Sequence, residues 1–163
     1  MTGNENLADY RMRGHRVPEM SPHIISLVAQ KLCEILKIDQ KSFSPKKIGR
    51  LINKLEANAV NIDVIEDCEW LDCTRATVDP QTGWIYMPRK LFAELNRSKP
   101  EAIRIFLHEL GHIFLCHKPL LHFADAQPKQ TQDSEWQADE FADAVIRHLG
   151  LEREQLQLKF EDF

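Results

Sequence analysis

Apolar residues follow two kinds of spacing along this chain, helical towards both ends and alternating in between. Ser21-Pro22 supplies an N-cap followed by proline at the first helical position, and Ile25, Val28, Leu32 and Ile35 come after it at helical intervals. The spacing predicts an amphipathic helix over 22–37. Ser44-Pro45 repeats the start signal ahead of Ile48, Leu51, Ile52 and Leu55, which predicts a second helix of about three turns. From Ala59 the pattern changes. Val60, Ile62, Val64 and Ile65 read as a strand, and Thr74 to Val78 as another. Asp79-Pro80-Gln81-Thr82-Gly83 is turn chemistry, and Trp84-Ile85-Tyr86-Met87 reads as the returning strand of a hairpin.

Pro88 closes that strand, and Lys90 to Leu95 reads as a short helix. Ser98 with Glu101 three residues later is a capping-box signature. It predicts a helix through about Cys116, with Ile103, Phe106, Leu107, Leu110 and Phe114 on one broad apolar face. Prolines, glutamines and mixed polar residues make 118–132 a loop. A last helix is expected from near Ser134 to Leu149, stopped by Gly150. Residues 1–20 are polar and without period, and read as a flexible arm ahead of a single domain over 21–163. The fold class expected is α+β, a helical body with a small antiparallel sheet beside the 98–116 helix.

Composition narrows the function little. The 163 residues suit one compact domain with a real core. A net charge of -4 gives no sign of direct nucleic-acid binding. No run approaches the roughly 18 apolar residues of a membrane span, and Met-Thr-Gly-Asn-Glu-Asn lacks the layout of a secretory signal, so the cytoplasm is the expected compartment. Cys33, Cys68, Cys73 and Cys116 lack zinc-knuckle spacing and read as reduced thiols.

The sharpest signal is His108-Glu109-Leu110-Gly111-His112 inside the capped helix. Four residues make about 400° of rotation, so both imidazoles leave the same face one turn apart. Two nitrogens so placed can take two corners of a zinc tetrahedron. Glu109, offset by one residue, can take a proton from activated water and pass it to a leaving amine. Gly111 reads as keeping bulk away from the metal face. A catalytic zinc needs a third ligand, and the next helix offers Glu135. Asp139, one turn on, can accept a hydrogen bond from the far nitrogen of a ligand histidine. Acids so spaced on a helix are otherwise ordinary solvated surface.

With these residues the chain resembles the ImmA/IrrE metallopeptidases, within the wider gluzincin group. The resemblance rests on His-Glu-Leu-Gly-His followed by Glu135-x-x-Ala138-Asp139-x-Phe141-Ala142, and covers about 84–149. It implies that His108, His112 and Glu135 bind Zn2+, that Glu109 is the catalytic base, and that Asp139 stands behind a ligand. Members often carry asparagine where this chain has Asp139; aspartate is the gluzincin residue there. The resemblance also implies a protein substrate, a DNA-binding transcriptional repressor of helix-turn-helix type, whose cleavage relieves repression. Two rival readings are a non-cleaving module that sequesters a repressor or antitoxin, and a zinc hydrolase of a non-peptide bond.

Other candidates carry two readings each. Tyr86 can stabilise a tetrahedral oxyanion, or simply pack. His117 can face the cleft, or lie on the surface at a helix end. Strand 84–87 can be an exposed edge that pairs with substrate backbone, which two paired edges would exclude. Trp84, Trp136 and Phe141 read as core, and His122 and His148 as bystanders.

Overall fold

Five α-helices and a three-stranded sheet form an α+β fold in the computed structural model, which describes residues 9–71, 74–121 and 127–151. α1 spans Pro22–Leu36 and starts as expected: the Ser21 hydroxyl accepts from the Ile24 amide, and proline follows the cap. Its buried face is Ile25, Ala29, Cys33 and Leu36. α2 spans Ile48–Ala57. It begins four residues after Ser44, because Ser44 closes a 3₁₀ helix over Gln40–Phe43, capped by Asp39, and the chain then makes a turn over 45–47 before α2.

The strands are β1 (Asn61–Ile65), β2 (Thr77–Asp79) and β3 (Trp84–Pro88), in the order β1-β3-β2. β2 and β3 form the expected antiparallel hairpin. The sheet as a whole is mixed, however, because β1 pairs with β3 in parallel, Ile62 opposite Ile85 and Val64 opposite Met87. Local alternation reports which face of a strand is apolar, not which neighbour it takes. Gly83 makes this pairing possible. It has φ 78°, and a β-carbon there would sit 2.3 Å from the Ala59 carbonyl oxygen, where the chain enters β1. Its own carbonyl accepts from the Asn61 amide at 2.9 Å. Ile85 and Met87 turn to the helices and are fully buried, with Ile62 and Val78 packed beside them.

α3 (Arg89–Asn96) leads into α4 (Pro100–Phe114). The capping box expected at Ser98 does not form. Pro100 disfavours helical backbone at Lys99, so Lys99 becomes the extended N-cap and Ser98 takes a left-handed conformation, its hydroxyl bonded to the Phe43 carbonyl. Glu101 pairs with Arg75 instead. α5 (Ser134–Leu149) ends at Gly150, as its sequence predicts. α5 packs chiefly on α4 and also on α1, around a core that includes Phe106, Leu110, Phe141 and Ile25. No helix of the described residues is long and apolar enough to cross a membrane.

Residues 9–20 depart from the expectation of a free arm; residues 1–8 lie outside the described part. Asp133, fully buried at the N-cap of α5, accepts from the Tyr10 hydroxyl at 2.7 Å, from the Arg13 and Gly14 amides at 2.8 and 3.0 Å, and from the Glu135 amide at 3.0 Å. Arg16 and Asp133 form a β-bridge, and Val17 is buried. One carboxylate with four donors ties the segment down.

Candidate metal centre

α4 places His108 and His112 one turn apart, and α5 brings Glu135 to them. The His108 and His112 Nε2 atoms are 3.2 Å apart; Glu135 carboxylate oxygens lie 2.8 Å from the first and 3.3 Å from the second. One donor atom from each residue falls within a 4.8 Å cluster, and these three residues could hold a metal ion. A tetrahedron with bonds of about 2.0–2.1 Å has edges of about 3.3 Å, close to the spacings found. Acceptor atoms converge here, an arrangement that calls for a cation or a shared proton. Glu109 is outside this cluster but buried on the wall of the same cleft, whose volume is about 570 Å³.

Gly111 allows the approach of α5 rather than access to the metal face. A β-carbon there would meet the Phe141 side chain and the Ala138 backbone, so the glycine serves helix packing. This corrects the role expected of it.

Each of the two histidines is held from behind. His108 Nδ1 donates to Asp139 at 2.7 Å, as expected, and the other Asp139 oxygen accepts from Arg13 at 3.0 Å. His112 Nδ1 lies 2.7 Å from Nδ1 of His117, whose Nε2 is 2.8 Å from the Gln137 side-chain oxygen. His117 is thus inside the site, not on the surface. The helix end puts it there: the His117 amide bonds to the His112 carbonyl at 3.0 Å and the Cys116 amide to that of Ile113 at 3.0 Å. This is a Schellman turn, with Cys116 at φ 54° in the left-handed position. It stops α4 at Phe114 and folds His117 back onto His112.

Electrostatics follow the contacts. Burial alone would lower the His108 pKa, but hydrogen bonds to Asp139 and Glu135 and the charge of Glu109 outweigh it and raise it to about 9. Bonds to His108 and His112 hold Glu135 well below the usual carboxylate range. Burial raises Glu109 and lowers His117 to about 4.

Tyr86 is not brought to the site. It stands on the sheet face opposite Ile85 and Met87, stacked on a half-exposed Trp84 and lining a separate hollow with Ile65, Trp70 and Leu71. Trp84 is therefore not core, whereas Phe141 is, with Trp136 partly buried against it. Both edges of β3 are paired, which excludes it as a strand open to substrate; β2 is the strand that borders the cleft. His148 is exposed on α5, and His122 and Cys73 lie outside the described residues. Cys33, Cys68 and Cys116 are free thiols. Sequence reasoning missed Asp133, Gln137 and Arg13; an aspartate directly ahead of a predicted helix was the one available signal, as an N-cap. No protein-family model, curated protein or solved structure matches the chain.

Proposed function

We propose that this chain is a zinc-dependent endopeptidase in which His108, His112 and Glu135 are the ligands and Glu109 is the general base. The observation that carries the reading is the convergence of two imidazole nitrogens and a carboxylate within 4.8 Å, on a cleft wall shared with buried Glu109. Two nitrogens and a carboxylate suit zinc, and three protein ligands leave a fourth position for water or substrate. When bound, zinc supplies Lewis acidity, which acidifies a water and polarises a carbonyl.

The chain's own residues do the rest. Glu109 accepts the proton of the attacking water and delivers it to the leaving amine nitrogen; a carboxyl whose pKa burial has raised suits both halves of that transfer. Asp139 orients His108. β2 has a partner on one side only among the described residues, so its other edge can pair with an extended peptide beside the cleft. That favours a peptide over a smaller hydrolysable bond. The resemblance to ImmA/IrrE metallopeptidases supports a cytoplasmic helix-turn-helix repressor as the protein substrate, with any effect on DNA passing through that partner.

The test compares new protein N-termini in cells of the source organism expressing the native chain or Glu109→Gln. The expected result is a cut in one repressor with the native chain only, both proteins carrying zinc. Equal cleavage by Glu109→Gln removes the base assignment. Zinc-loaded native protein that cuts nothing, yet relieves repression, favours the sequestering module.

A further inference from the structure

The geometry points to His117 and Gln137 as positioning residues of the centre, which fix the proton on His112 so that its Nε2 lone pair faces the metal position. This rests on the metal reading above.

Proton order along the relay follows from two backbone carbonyls at its far end. Gln137 Nε2 lies 2.9 Å from the Pro18 carbonyl oxygen and 2.7 Å from that of Thr131. Carbonyl oxygens only accept, so both contacts require the amide's NH2 group. The Gln137 oxygen therefore faces His117 Nε2, at 2.8 Å, and that nitrogen must carry hydrogen. A neutral ring protonated at Nε2 has its lone pair on Nδ1. That lone pair meets His112 Nδ1 at 2.7 Å, a distance that requires one hydrogen between the two nitrogens, and His112 must supply it. In the neutral His112 ring the lone pair is then on Nε2, turned towards Glu135 and His108. The opposite order would need a charged His117, buried and with no carboxylate bonded to it.

The two ligands are thus held by different means. Asp139 offers His108 a carboxylate, whereas His112 leans on a neutral ring whose tautomer is set by groups that do not titrate. Gln137 also joins the centre to the 9–20 segment through Pro18 and to the 129–132 loop through Thr131. The Schellman turn after α4 makes the relay possible, since a straight helix would carry residue 117 away from His112.

The full chain, freed of metal, is titrated with zinc against a chromophoric chelator, and separately with cobalt to record its d–d absorption. His117→Phe is expected to weaken zinc binding about 10–100-fold and to alter the cobalt bands. His117→Gln, whose amide oxygen can accept from His112 Nδ1, should recover part of both, and Gln137→Leu should lose less than His117→Phe. Native affinity and native bands in His117→Phe would overturn the assignment, as would a His117→Gln no better than His117→Phe. Should His117→Phe fail to fold, native affinity in Gln137→Leu overturns it and a loss sustains it. A native chain that binds no zinc removes the metal reading and this inference together; tight native binding with indifferent variants removes this inference alone.

Discussion

Gly111 and Phe141 meet where α4 packs on α5, so closely that a β-carbon on the glycine would lie 3.1 Å from two side-chain atoms of the phenylalanine. The same packing brings Glu135 to the two histidines. A missing side chain on one helix thereby sets the reach of a carboxylate on the other.

Gly111→Ala should therefore act on both stability and metal binding. Forcing a methyl group against Phe141 and the Ala138 backbone costs about 1–3 kcal/mol, and the better helix propensity of alanine offsets about 1 kcal/mol of it, which leaves a net loss of up to about 2 kcal/mol. Zinc affinity should fall as well, because Glu135 moves with α5. Denaturant unfolding of the metal-free protein and chelator competition measure the two effects. Unchanged values in both would show that α5 has slack at this contact.

Asp133 is expected to be the main anchor of residues 9–20. Asp133→Ala removes an N-cap and leaves the Tyr10, Arg13 and Gly14 donors without their acceptor, a loss of about 2–4 kcal/mol. Burial alone would raise its pKa, but its hydrogen bonds outweigh that and lower it. Its contribution is then complete above the unfolded value of about 3.9 and is lost as pH falls through the lower folded value. Acid titration should show the native chain losing stability below about pH 4 more steeply than Asp133→Asn. Parallel acid limbs would contradict this.

Metal uptake should release a proton. In the metal-free chain the His108 pKa is raised to about 9, so the ring is protonated at neutral pH and must lose that proton to bind. Below about pH 9 the apparent zinc affinity should rise by about tenfold per pH unit from this group alone. The linked stability has the opposite sense: it is full below about pH 6.5 and disappears as pH rises through about 9. Calorimetry in buffers of different ionisation enthalpy counts the protons. No release at pH 7 would place the proton elsewhere.

Cys116→Gly should stabilise the fold. Cys116 is exposed and held at φ 54°, where a β-carbon costs about 1–2 kcal/mol. Greater chain freedom in the unfolded state returns part of that, so a net gain of about 0.5–1 kcal/mol is expected. Thermal unfolding checks it, and zinc affinity should not change, because the turn and His117 stay in place. A lower Tm would mean that the thiol contributes contacts to the native state.

Local signals were sufficient for much of this molecule. The Ser21-Pro22 start of α1, the 79–83 turn and the Gly150 stop of α5 each depend on residues within a turn of one another, and each stands where its sequence predicts. His108 and His112 were legible for the same reason: helical geometry alone puts them on one face, and α4 keeps them there. Other features depend on groups far apart in the chain. The parallel pairing of β1 with β3, the docking of the Tyr10 to Val17 segment on Asp133 and the outward turn of Tyr86 all depend on which surfaces meet. So do the packing role of Gly111 and the relay from His112 through His117 and Gln137 to Pro18. Periodicity specifies a face and a cap specifies an end, but neither carries information about the partner across the fold. Sequence alone could therefore nominate the residues that would touch a metal, with Asp139 behind one of them, and only the tertiary structure decided which other residues hold them in place.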